Sequence, residues 1–185
     1  MIVYKISVLA TLISLISCAT PQIKNGEVTL DNNTAILITK LNERGYTHGE
    51  LSSVLMSYDS TPGLIRAISF NQTKETLRYT KGENNINVIK VNTGKAWFSR
   101  IVYATKAEGF FDKKYVYHAN IENDNPFMLE AGKINYIGDF NMETQGSKLR
   151  TTYTDNESYT VQEAKKMYPD LFIKYEYVKN IPNNN

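Results

Sequence analysis

A single cysteine, two histidines and no surplus of either charge leave this chain of 185 residues short of most groups that carry chemistry. Cys18 has no second thiol to pair with, so the folded domain must be stable without a disulfide even in an oxidising compartment. His48 and His118 lie far apart in the chain, and neither belongs to a metal-binding pair at i, i+4. His48 could pair with Glu43 or Glu50 as an acid/base site, but a solvated loop histidine is the commoner state. No Gly-x-Ser-x-Gly elbow surrounds Ser52 and Ser53. No glycine-rich phosphate loop occurs, since Gly45 and Gly49 stand alone, and Asp112, Glu122 and Asp124 lack calcium-loop spacing. With 21 basic against 19 acidic residues, electrostatics gives no case for a nucleic-acid partner. The expectation is a protein that is not an enzyme, with no catalytic residue, no cofactor and no metal site.

What the chain does have is at its N-terminus. Lys5 precedes an apolar run from Ile6 to Ile16, which closes with Leu15-Ile16-Ser17-Cys18. The run is too short to span a bilayer comfortably, which takes ~20 residues. An ordinary buried thiol, an uncleaved anchor, or a secretory signal cut after Ala19 are the competing readings. The segment resembles bacterial lipoprotein signal peptides, in which the cysteine thiol is diacylated and the chain is cut just before it. That resemblance implies lipid attachment at Cys18, with Leu15, Ile16 and Ser17 as the lipobox. It implies a lipid-anchored protein of the bacterial cell envelope, with the lipid bilayer as its first partner. In such lipoproteins an Asp directly after the cysteine commonly signals inner-membrane retention. Here Ala19 and Thr20 follow instead, which favours the outer membrane in a host that has one.

The organisation expected is therefore a signal peptide over 1–17, a lipidated cysteine and tether over 18–33, and one domain over 34–180. A flexible tether of residues 19–33 would reach ~20 Å on average. From Thr34 onward the signals are β. Strands are expected at Thr34 to Thr39, Val54 to Tyr58, Leu64 to Phe70, Ile86 to Val91, Ala96 to Ala104, Tyr115 to Ala119 and Phe127 to Glu130. In the run from Ala96, Trp97, Ser99, Ile101 and Tyr103 share one face and Phe98, Val102 and Ala104 the other. Bulk on both faces predicts a central strand. The clearest alternation follows: Ile134, Tyr136, Gly138, Phe140 and Met142 interleave with Lys133, Asn135, Ile137, Asp139 and Asn141. A glycine on the apolar face marks a close approach or a bulge.

The period then changes. Thr160 with Glu163 fits a capping box, and Val161, Ala164, Tyr168 and Leu171 recur at helical spacing. Pro169 should end that helix near Tyr168 and open a second short one. The fold class expected is mainly β: an antiparallel sandwich closed by a C-terminal helix. The segment Glu130-Ala131-Gly132-Lys133-Ile134-Asn135-Tyr136-Ile137-Gly138-Asp139 is similar to one in uncharacterised bacterial lipoproteins with a prealbumin-like sandwich, and that resemblance implies a sandwich of prealbumin or immunoglobulin type. A related Gly-Lys turn stands at Gly94-Lys95. The resemblance implies a fold and a compartment, and no reaction.

The role expected is an interaction or scaffolding module for another envelope protein. Phe110 and Phe111, beside Gly109 and the charged Asp112-Lys113-Lys114, are the candidate partner contacts. The alternative is a small-ligand or glycan-binding lipoprotein with a groove lined by tyrosines such as Tyr115 and Tyr117.

Overall fold

The computed structural model describes Ile23 and residues 28–45, 50–58, 75–78, 84–104, 116–121, 125–145 and 148–183. Among them the strands are β1 (Thr34–Arg44), β2 (Glu50–Tyr58), β3 (Glu75–Arg78), β4 (Ile86–Asn92), β5 (Gly94–Ala104), β6 (Val116–Asn120), β7 (Phe127–Leu129), β8 (Ile134–Tyr136), β9 (Asp139–Gln145), β10 (Lys148–Thr154) and β11 (Tyr177–Lys179). Two helices, α1 (Glu157–Met167) and α2 (Pro169–Lys174), precede β11. The strand expected over 64–70 lies outside the described residues, and β3 is a strand that the sequence pattern did not announce.

The chain is mainly β, in two sheets. One runs β10-β9-β1-β8-β11 with β4 paired to β1, and the other runs β3-β2-β5-β6 with β7 paired to β5. The second sheet is antiparallel, and β5 is central in it as its two bulky faces predict. The first is not. β1 pairs antiparallel with β4 but parallel with β8 and β9, and β11 pairs parallel with β8. The wholly antiparallel arrangement expected from the sequence is thus corrected to a mixed sheet. Parallel neighbours need long crossover connections. The excursion through the second sheet supplies one between β1 and β8, and α1 with α2 lie on the return to β11.

Each face of the first sheet is covered. Ala35, Leu37, Leu41, Ile89, Val91, Phe140 and Met142 join Val54, Met56, Phe98, Ile101 and Leu129 of the second sheet in one buried cluster. The alternate residues Ile36, Ile38, Ile86, Val88, Ile134 and Tyr136 turn the other way and pack with Val161, Ala164 and Leu171 of the helices. A strand buried on both sides reads as an unbroken apolar run. This is why β1 opens as Ala35-Ile36-Leu37-Ile38 rather than alternating.

The expected single strand from Lys133 to Met142 is two, β8 and β9, joined by a bulge. β1 runs beside both, with Ile38 opposite Tyr136 but Leu41 opposite Phe140, so one extra residue enters at Ile137-Gly138. An extra residue reverses the faces of everything after it. Ile134 and Tyr136 therefore face the helices while Phe140 and Met142 face the second sheet, and the shared face expected for them does not exist. Gly138 takes φ +88, and a Cβ there would stand 3.1 Å from the Thr154 carbonyl and 3.3 Å from Ile181 Cγ2. Both meanings of a glycine at this position, bulge and close approach, hold together.

A like correction applies to β5. Against β2, Leu55 lies opposite Arg100 and Met56 opposite Phe98, so Ser99 is the extra residue. Ala96 and Phe98 point into the core before it, and Ile101 and Tyr103 after it. Ser99 Oγ accepts from Ser57 Oγ at 2.8 Å and donates to the Leu55 carbonyl at 3.3 Å, which ties down the irregular residue.

The folded unit also reaches N-terminal of Thr34, into the segment expected to be tether. Ile23 is 7% exposed within the helix-side cluster, and its N–H donates to the Val88 carbonyl at 3.4 Å. Tyr175 OH donates to the Val28 carbonyl at 2.8 Å and accepts the Leu30 N–H at 3.1 Å. Lys174 Nζ donates to Val28 O and Lys90 Nζ to Thr29 O, at 3.1 and 2.7 Å. Apolar side chains at Ile23, Val28 and Leu30 explain the docking. They bury against the helix layer, where a polar tether would stay in water.

Candidate functional site

Tyr136 and Asp139 are three residues apart, and in a regular strand they would point to opposite faces. The bulge between them turns both toward the start of α1. Asp139, 2% exposed, accepts Thr160 Oγ1 at 2.7 Å and Tyr136 OH at 3.3 Å on Oδ1, and Asn156 Nδ2 at 3.1 Å on Oδ2. Tyr136 OH accepts the Asn156 backbone N–H at 2.9 Å. Thr39 Oγ1, also buried, donates to the Gly138 carbonyl at 2.7 Å. Together these groups form a buried polar cluster at the joint of β8, β9 and α1.

Its consequence for the helix is a correction. Thr160 is not the N-cap. The helix begins at Glu157 with Asn156 as the cap residue, which makes no side-chain capping bond of its own. Asp155 Oδ1 instead accepts the Glu157 N–H at 3.2 Å. Thr160 sits inside the first turns with its hydroxyl spent on Asp139, and Glu163 pairs with Lys166 at 2.6 Å in the solvent. The expected end at Tyr168 holds, and Pro169 opens α2 at its first position.

Burial pushes the Tyr136 phenol well above its ordinary range, the Asn156 amide opposing and the Asp139 charge adding to the shift. Chemically the cluster is closed. Asp139 and Thr160 are buried and bonded to one another, so neither offers a reactive atom to a substrate. What it does is fasten the helix layer to the sheet in one orientation.

Asn135, fully buried, forms a second fastening. Its Oδ1 accepts the Glu130 N–H and Asn180 Nδ2 at 2.8 and 2.9 Å, and its Nδ2 donates to the Glu130 and Lys133 carbonyls, each at 3.1 Å. The Ala131-Gly132 turn is thereby held, and the Gly132 N–H reaches the Thr34 carbonyl at 2.9 Å. The Thr93 N–H reaches the neighbouring Asn33 carbonyl at 3.0 Å, so the Ala131-Gly132 turn and the link from β4 to β5 meet at the start of β1. At the surface Lys179 bridges Asp155 and Glu157, which lowers the ionisation range of both carboxyls and raises that of the lysine.

Most residues singled out from the sequence fall elsewhere. Leu15, Ile16, Ser17, Cys18, His48, Phe110, Phe111 and Tyr115 lie outside the described residues. His118 and Tyr117 are in β6, opposite Val102 and Tyr103 of β5. Ser52 is the exposed, unpaired residue where β2 slips against β5. Among the described residues no three His, Cys, Asp or Glu side chains group as a metal site would require. No helix among them is long and apolar enough to cross a membrane. The buried cluster itself escaped sequence reading, because Tyr136 and Asp139 come together only through the bulge. Gly138 was the one signal that could have pointed to it.

No protein-family model, curated protein or solved structure matches this chain.

Proposed function

We propose that this is a lipid-anchored protein of the bacterial cell envelope, held by acyl chains on Cys18, with a non-enzymatic role in binding or scaffolding another envelope protein. The observation that carries the reading is the sole cysteine, standing at the end of a basic-then-apolar segment in lipobox context. Two or three acyl chains hold firmly where one binds marginally, because each buried methylene contributes ~0.8 kcal/mol. The buried polar groups described above are consistent with a structural domain, since their bonds are used on one another. In this reading the two sheets form a prealbumin-like sandwich whose first sheet is mixed, and the outer membrane is the compartment where the host has one. Phe110 and Phe111 are the residues proposed to meet the partner.

Metabolic labelling with an alkyne-bearing palmitate tests the anchor. The full chain should take up the label and sediment with membranes, and Cys18→Ser should lose both. Label retained in Cys18→Ser would end the reading.

A further inference from the structure

The backbone before β1 is fastened at Ile23 and again at Val28 to Leu30. Among the described residues β4 pairs with β1 alone, and the Ile23 N–H takes the other edge of β4 at the Val88 carbonyl. Lys90 of β4 donates to the Thr29 carbonyl, and Lys174 of α2 and Tyr175 just after it both donate to the Val28 carbonyl. Tyr175 OH also accepts the Leu30 N–H. These bonds all fall on main-chain atoms, while Ile23, Val28 and Leu30 pack their side chains into the cluster beneath the helices. The two attachments form a clasp that bridges the edge of the first sheet and the helix layer.

The clasp sets a length. Cys18 is five residues before Ile23 and sixteen before Thr34. At full extension the shorter stretch reaches at most about 18 Å and the longer about 58 Å. As flexible coils they would average about 12 and 22 Å. Resting on the lipid anchor proposed above, we infer that the clasp is a reach-setting device. Closed, it keeps the domain against the membrane that holds Cys18, so that a partner is met close to the bilayer. Opened, it lets the domain rise from that membrane with its sheets intact, because Thr34 and the strands after it do not depend on the released segment for their pairing.

The test uses the acylated full chain, extracted from membranes and reconstituted into phosphatidylcholine vesicles that carry an energy-transfer acceptor on their headgroups. A donor dye is attached through Met128→Cys, which is 56% exposed on β7 and is the one free thiol once Cys18 is acylated. The clasp is opened with Ile23→Ser and Tyr175→Phe together. The energy-transfer rate should fall at least about twofold, as a rise of about 10 Å implies. Amide exchange on the same samples reads the clasp itself. The Ile23 and Leu30 amides should be protected in the parent and unprotected in the double variant, with β2 and β5 protected in both. A second variant leaves the clasp closed and inserts ten Gly and Ser residues between Thr20 and Pro21; it should lower the transfer rate as well. Unchanged transfer after the clasp amides lose protection overturns the inference and, with acyl mass present on the N-terminal peptide, leaves the anchor standing. Unprotected Ile23 and Leu30 amides in the parent, or unchanged transfer in the insertion variant, also overturn it. An N-terminal peptide without acyl mass removes the anchor and the inference together.

Discussion

The two faces of the sheet built around β1 are joined to their neighbours by different chemistry. Toward the second sheet the contact is aromatic and aliphatic. Phe98 lies 4.5 Å from Phe140 and 5.5 Å from Phe127 between ring centroids, and Phe140 lies 5.1 Å from Tyr153. Toward the helices the fully buried side chains are mainly aliphatic, with Tyr168, Phe172, Tyr175 and Tyr177 partly buried beside them, and the joint is completed by Asp139, Tyr136, Thr160 and Asn156. Hydrophobic burial is non-directional and gives stability in proportion to area. A buried hydrogen-bond cluster specifies orientation, and suffers most when one member is removed. One side therefore sets how stable the protein is, and the other sets where the helix layer, with its exposed Ile173, is held.

The comparison breaks most visibly at Phe98. Phe98→Ala should cost about 3–5 kcal/mol. Because the loss falls on the core shared by both sheets, a urea titration should show strand and helix signals unfolding together at a lower midpoint. Asp139→Ala should cost about 2–4 kcal/mol, since it strands the Thr160 hydroxyl and the Asn156 amide in a buried place. Its mark is local: amide exchange should quicken across α1 and α2 well before it quickens in β2 and β5. Uniform quickening would show that the two faces are one cooperative unit.

Gly138→Ala places a side chain at φ +88 against the Thr154 carbonyl and Ile181. A cost of about 1–3 kcal/mol is expected. It should be felt on both sides, because the bulge aims residues at each, and thermal melting of the single variant measures it.

The smallest effect is on pH dependence. Burial raises the Tyr136 ionisation above its ordinary 10.0. Below pH 10 the phenol is neutral whether the chain is folded or not, so its contribution is complete. As pH rises past 10 the unfolded chain ionises first, and stability falls until the raised folded value is passed. Tyr136→Phe should flatten this part of the profile in denaturant titrations, leaving the slope due to Tyr153, Tyr168 and Tyr177, which burial also raises. An unchanged alkaline slope would place the strain elsewhere.

How much of this was legible in the sequence depends on whether a feature is local. The β-branched run at β1, the Gly132-Lys133 turn before β8 and Pro169 at the α1–α2 junction are local, and the structure has them where the pattern puts them, whereas Gly94 and Lys95, expected in a turn, are the first residues of β5. Bulges are not local in that sense. The alternation from Ile134 to Met142 is unbroken in sequence, yet one extra residue reverses the side that Phe140 faces. A constant period places Ile134 and Phe140 on one face. Thr160 fits a capping box in isolation, but Asp139 from β9 takes its hydroxyl instead. Parallel pairing of β1 with β8 depends on contacts nearly a hundred residues apart, which no window of sequence contains.

The anchor proposed at Cys18 underlies the proposed role, and the mass of the N-terminal peptide from membrane-extracted protein tests it most directly. The account predicts a peptide beginning at Cys18 and heavier by two or three acyl chains. A peptide beginning at any other residue, or at an unmodified Cys18, would contradict it.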